Sequence, residues 1–163
     1  MILTGNEIEK EVNNGNILLK PFSKTQLNPN SYNYCLGNKL KKFVKFENGK
    51  SVFETVTLDE SGFLLEPNQM YLANTKEIIG SSKYAMSLIG KSSLGRLGLF
   101  LQVSANLGHT NSKHKWTLEL VACMPVKIYP EMQIGQVSFW TNEGEIEPYS
   151  GKYSNISEPQ ESI

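Results

Sequence analysis

The sequence predicts an all-β sandwich or barrel with one short helix near its N-terminus. Three observations predict it. Short apolar or β-branched runs recur along most of the chain, separated by Gly, Pro, Asn and Asp turn signals. Asn48-Gly49 stands between Phe43-Val44-Lys45-Phe46 and Val52-Phe53-Glu54-Thr55, a strong hairpin signal. In the last third the residues alternate, with Trp116, Leu118 and Leu120 on one face of a strand and Thr117, Glu119 and Val121 on the other.

Residues 4–14 read as the helix. Thr4 caps it, Glu7 completes a capping box, Leu3 and Ile8 make a hydrophobic staple, and Asn13-Asn14-Gly15 stops it. Ile17-Leu18-Leu19 reads as a strand ended by Pro21, and Asn28-Pro29-Asn30 as a turn before a strand at Tyr32–Leu36. After the hairpin, Val56-Thr57-Leu58, Gly62–Leu65 and Met70–Ala73 read as further strands, with a turn at Pro67-Asn68. The glycine-rich stretch 90–98 reads as a loop, followed by strands at Leu99–Val103, Trp116–Val121, Val126–Tyr129 and Gly135–Trp140. From Asn142 onward the chain turns polar, so the expected division is a β-domain over 1–141 and a tail over 142–163 that is either disordered or ordered only against something else.

Composition excludes several function classes. Lys plus Arg and Asp plus Glu number 16 each, so no global field draws nucleic acid or a membrane surface, and an anionic ligand needs a local cluster. No apolar run is long enough to span a bilayer, and Met1–Gly5 lacks the start of a signal peptide, so a cytoplasmic location is expected. Cys35 and Cys123 lie far apart among apolar neighbours and read as buried, reduced thiols. Neither His109 nor His114 falls in a ligand-spaced pattern with a cysteine, so no metal site, and in particular no zinc site, is expected.

Two stretches carry the chemistry. Gly90-Lys91-Ser92-Ser93-Leu94-Gly95-Arg96-Leu97-Gly98 packs a lysine, two serines and an arginine between three glycines. It reads either as an anion cradle, with close-approaching backbone N–H groups, or as a tight turn with solvated cations. It is not a phosphate-binding Walker loop, because the G-x-x-x-x-G-K-[ST] spacing is absent. Trp116-Thr117-Leu118-Glu119-Leu120 sets a carboxylate in an apolar strand, on the face away from Leu118 and Leu120. That carboxylate is either a sheet-edge salt bridge or a working group in a cleft.

Together these stretches, with Ser104-Ala105 between them, resemble the dCTP deaminases of the dUTPase-like superfamily. Pro29-Asn30-Ser31-Tyr32-Asn33-Tyr34-Cys35-Leu36-Gly37 is similar to that family's early block. Ile128-Tyr129-Pro130-Glu131-Met132-Gln133-Ile134-Gly135-Gln136 is similar to its late turn, and Tyr149-Ser150-Gly151-Lys152-Tyr153 to its C-terminal motif. The resemblance runs nearly end to end. It implies a distorted β-barrel of the β-clip type, a homotrimer with active sites between subunits, and a tail that closes over the nucleotide.

It also implies hydrolytic deamination of dCTP to dUTP and ammonia, a step in pyrimidine deoxynucleotide metabolism, without metal at the reacting carbon. The zinc deaminase motifs H-x-E and P-C-x-x-C are absent from this chain. By the resemblance, Glu119 is general base and acid, Ser92 and Arg96 orient the water and polarise the base, and the Ala105 carbonyl holds the water. Lys91, Ser92, Ser93 and Arg96 contact the nucleotide from the loop. Trp116, His109 and the tail residues Tyr149 and Lys152 complete the nucleotide contacts, and Mg²⁺ arrives on the triphosphate. Lys91 stands where an arginine is common, which keeps a phosphate contact but not a bidentate fork.

Beyond Lys91, the chain departs from the pattern in three places, the first being Asn33, which stands for the early block's aspartate and reads as structural. Counted without gaps from Glu119, His109 stands where the family has an aspartate beside the sugar. After Tyr153, Ile156 stands where a nucleotide-reaching glutamine is usual. The last two changes put the sugar preference in question and leave two alternatives: a deaminase of another cytosine nucleotide or bifunctional deaminase–diphosphatase, and a non-catalytic nucleotide-binding regulator.

Overall fold

The computed structural model describes residues 1–153 and 157–162. Helix α1 spans Gly5–Asn13, and the hydroxyl of Thr4 accepts the Glu7 N–H at 3.4 Å as its N-cap. Leu3 and Ile8 are both buried, as a staple requires. The capping box is half made, because the Glu7 carboxylate takes the Lys10 ammonium at 3.1 Å.

The strands are β1 (Ile17–Lys20), β2 (Leu27–Asn28), β3 (Ser31–Glu47), β4 (Lys50–Thr57), β5 (Phe63–Leu65), β6 (Gln69–Thr75), β7 (Ile78–Ser81), β8 (Tyr84–Gly90), β9 (Leu99–Leu101), β10 (Leu107–Gly108), β11 (Lys113–His114), β12 (Thr117–Ala122), β13 (Val126–Ile128) and β14 (Gln133–Thr141). The main sheet runs β10-β8-β14-β3-β6-β12-β9, with β2 and β4 also pairing β3, and it curls into a half-barrel. Sheets β1-β7-β11 and β13-β5 accompany it. Tyr32, Tyr34, Leu36, Tyr71, Leu88, Leu118, Leu120 and Phe139 fill the interior. The β-rich expectation holds, and no helix among the described residues is long and apolar enough to cross a membrane.

The β3–β4 hairpin turns at Asn48-Gly49, with φ of 51° and 76° and Glu47 opposite Lys50, as a two-residue primed turn demands. Its first strand is longer than expected. Tyr32–Leu36 and Phe43–Phe46 belong to one strand of 17 residues. The expected strand stops at Leu36, but β3 continues through Gly37, which is there for close approach: a Cβ on Gly37 would stand 2.2 Å from Asn74 Oδ1. Register shifts between Leu36 and Leu40 and between Phe43 and Lys45 absorb the irregularity.

Strands β7 and β8 occupy a stretch for which no element was expected. In β8, Tyr84, Met86 and Leu88 point inward at period two. Stretch 90–98 is not all loop, since Ser92–Gly95 forms one helical turn, α2. Cys35 is buried as expected, and burial first of all pushes its thiol up to about 11. Cys123 is exposed, because it follows the end of β12, where the chain turns away from the core.

One buried carboxylate ties α1 to the sheet. Glu11, 3% exposed, accepts the Tyr84 hydroxyl at 2.7 Å, the Lys83 ammonium at 3.1 Å, and the Asn14 and Asn16 amides at 3.1 and 3.0 Å. The Tyr84 bond, ahead of the Lys83, Asn14 and Asn16 bonds and against the opposing effect of burial, holds its carboxyl down to about 2. Glu11→Ala, which orphans these donors, is expected to destabilise the fold by about 2–4 kcal/mol in urea unfolding at pH 7. A depressed carboxyl stabilises above its unfolded value, and that stability fades as pH falls from 4.5 towards 2. The wild-type and Glu11→Ala stabilities therefore converge across that window.

Candidate active site

Strand β12 places the candidate base. Leu118 and Leu120 are fully buried, and Glu119 projects from the opposite face, opposite Leu72 of β6 in register. Its carboxylate lines a cleft of about 1190 Å³. Ala105, His109, Trp116 and Tyr149 line the same cleft, so the structure brings these four together with Glu119.

Two stacked pairs form much of the wall. His109 lies on Tyr149 with ring centroids 5.1 Å apart and planes 19° from parallel. His114 lies on Trp116 at 4.4 Å and 30°. The Trp116 indole N–H donates to the Ile79 carbonyl at 3.0 Å, which fixes its plane, and the Tyr149 N–H donates to the Thr110 carbonyl at 3.2 Å. The sequence names His114 only as lying outside any metal-ligand pattern; its place two residues before Trp116, on the same side of an extended chain, is the available signal.

The serine–arginine turn does not join this cleft. Leu94 is buried and anchors α2, while Ser92, Ser93 and Arg96 are exposed. Lys91, half-buried, donates to Gln133 Oε1 at 3.1 Å. None of these four residues lines the cleft of its own chain, and neither does Lys152, which is exposed. Within one chain, then, Glu119 and Ala105 stand together, and Ser92 and Arg96 stand apart from them. Lys50, near the hairpin turn, is the cleft's lysine, and acidic Glu161 lines it as well.

Gln102 links two members of the site. Its carboxamide oxygen accepts the Glu119 N–H at 2.8 Å, and its carboxamide nitrogen donates to the Ala105 carbonyl at 3.3 Å. Its own N–H donates to the Glu119 carbonyl at 3.3 Å. Nothing in its sequence neighbourhood marks it.

The tail crosses the same sheet face. Ser157 O accepts from Asn74 Nδ2 at 3.0 Å, the Gln160 N–H donates to the Thr117 hydroxyl at 3.1 Å, and Pro159 is buried. Lys39 pairs with Glu158 at 2.8 Å and Lys41 with Glu161. Gln160, Glu161 and Ser162 thereby come to line the cleft. Ile156, singled out in the sequence, lies outside the described residues. Among the described residues, no three His, Cys, Asp or Glu side chains form a metal-holding group.

A family model described as dCTP deaminase-like matches residues 2–142. A Hathewaya histolytica protein named dCTP deaminase, dUMP-forming, is 41% identical over 170 residues, covering 100% of this chain and 96% of the relative. A Rhodopirellula baltica protein named dCTP deaminase is 36% identical over 167 residues, covering 100% of this chain and 84% of the relative. Among solved structures, 2'-deoxycytidine 5'-triphosphate deaminase from Agrobacterium tumefaciens superposes with a TM-score of 0.71 at 20% identity. That match covers 86% of this chain, which spans 48% of the solved one, and it bears on the fold alone.

Proposed function

The chain belongs to the dCTP deaminase-like family, and on that premise we propose that it hydrolyses dCTP to dUTP and ammonia. The observation that carries the reading is the Glu119 carboxylate opening into a cleft that the Ala105 segment also lines. Deamination adds water across C4 of cytosine and expels the amino group. As the water oxygen bonds C4, the C4=N3 π pair moves to N3 and Glu119 carries the water's first proton there; it then carries the hydroxyl proton to the amino nitrogen as the C4–N bond breaks and C4=O forms. The Ala105 carbonyl accepts the other hydrogen of that water and fixes its line of attack. His109, Trp116 and Tyr149 give the nucleotide flat surfaces to lie against.

A triphosphate needs more cations than this cleft offers. We therefore assign Lys91, Ser92, Ser93 and Arg96 to the cleft of an adjacent copy in a homotrimer, where Ser92 and Arg96 orient the water and polarise the base. The exposure of Ser92, Ser93 and Arg96 in and beside this short turn supports that assignment. Tyr149 and Lys152 close on the phosphates as part of the tail, and Mg²⁺ enters as part of the substrate. In this reading the protein needs no zinc.

A second reading has an observation behind it. The Hathewaya histolytica relative carries the name dUMP-forming, and a chain with that outcome would also release pyrophosphate. His109, standing in place of the family's aspartate, weighs against it. Ammonia and pyrophosphate release are to be measured in parallel with dCTP, CTP, dCMP and dUTP in the presence of Mg²⁺. Ammonia from dCTP without pyrophosphate is the expected result. Equal release of both from dCTP would establish the second reading, and nucleotide binding without ammonia would overturn both.

A further inference from the structure

We propose that Gln102 is a positioning residue for the deamination, locking the main chain at Glu119 to the carbonyl of Ala105. The proposal rests on the reading of Glu119 and Ala105 given above. Strand β9 pairs with β12 only as far as Leu101 opposite Leu120. The next residue, Gln102, faces Glu119 but leaves the sheet with φ of 51°, a left-handed conformation that disfavours a side chain. At that point the Glu119 N–H loses its strand acceptor. The Gln102 side chain supplies the acceptor, at 2.8 Å, and the Gln102 N–H still reaches the Glu119 carbonyl, at 3.3 Å.

The other end of the carboxamide grips Ala105 O at 3.3 Å, three residues along the departing chain. One planar group therefore sets the separation between the strand that carries the base and the carbonyl that holds the water. The task needs one acceptor and one donor at that spacing. Glutamate supplies acceptors alone and repels the Ala105 carbonyl. Methionine supplies neither, and glycine fits the left-handed backbone but has no carboxamide. A carbonyl has two lone pairs, so Ala105 O holds Gln102 and still accepts from the water.

The experiment compares Gln102→Glu, Gln102→Met, Gln102→Gly and Glu119→Gln with the wild-type protein. Steady-state ammonia release from dCTP and unliganded thermal melting are the readouts. The three Gln102 variants are expected to lose about 30- to 100-fold in kcat with KM for dCTP changed by less than about threefold. Gln102→Gly separates backbone from side chain: if relief of the left-handed conformation were all that mattered, it would keep wild-type kcat. Wild-type kcat in Gln102→Gly or Gln102→Glu overturns the proposal. So do losses in kcat and KM that track a fall in melting temperature, and so does failure of all three variants to fold, since each makes Gln102 a structural residue. An inactive Glu119→Gln beside active Gln102 variants removes this inference alone. An active Glu119→Gln removes the reading of the site beneath it.

Discussion

Glu119→Gln is expected to lower kcat for dCTP by at least about 10³-fold while leaving the fold and nucleotide binding intact. Glutamine matches glutamate in shape, and residue 119 is half-buried on the cleft face of β12, so no core contact changes. Leu118 and Leu120 still face inward, and the main-chain bonds to Gln102 do not involve the carboxylate. In the proposed mechanism, what is lost is the group that carries protons from the water to the base and the amino nitrogen. Melting is expected within about 2 °C of wild type, since no apolar burial is lost. KM for dCTP is expected within a few-fold, because the aromatic wall and the phosphate contacts remain. Glu119→Asp keeps the charge but withdraws it by one methylene, and a misplacement of about 1 Å is expected to cost about 10² in kcat. The graded pair matters: a purely electrostatic role for Glu119 would leave the aspartate near wild type. Retained turnover in Glu119→Gln would remove Glu119 as the proton shuttle.

Much of this arrangement was legible in the chain, for reasons that particular residues make clear. The direction of Glu119 follows from the period of two in a strand, which no tertiary contact has to supply. Asn48-Gly49 dictates its own turn, and Thr4 its own cap. Elements governed by partners were not legible. Whether Gly37-Asn38 breaks a strand depends on Asn74 approaching from β6, far along the chain. Cys123 sits among apolar neighbours in sequence but beyond the end of its strand in space. The alternation Tyr84, Met86, Leu88 is itself a period of two, and its partner β14 lies about 50 residues along the chain. Gln102 carries no sequence signal, since its role exists only because β9 stops at Leu101. The tail's ion pairs to Lys39 and Lys41 are likewise set by how the chain folds back, not by spacing. The candidate residues themselves were found by motif. Spacing could not say that Ser92 and Arg96 leave the cleft that Glu119 lines.

That separation leads to the other large effect, subunit complementation. Arg96→Ala is expected to cost about 10²–10³ in kcat, because in the proposed site it removes a preorganised cation from the developing charge. It is an exposed side chain just after α2, so folding is expected to be unchanged. Alone, Arg96→Ala and Glu119→Gln are each expected to be close to inactive. In the proposed assembly each site takes Glu119 from one copy and Arg96 from its neighbour. A mixed oligomer then contains sites where an Arg96→Ala chain supplies an intact Glu119 and a Glu119→Gln chain supplies an intact Arg96. With equal amounts and random exchange, any closed ring of this kind has both groups intact in about one quarter of its sites. Co-expression with two affinity tags and tandem purification removes the pure rings, which raises the fraction to about one third in a trimer, and ammonia release reads the result. Activity near that fraction, against almost none in either parent, is the expected outcome. If each chain instead folds its own turn into its own cleft, mixing restores nothing, since every site then carries one defect or the other. The experiment separates these cases without a structure of the complex, because the recovered activity can come only from sites built by two chains.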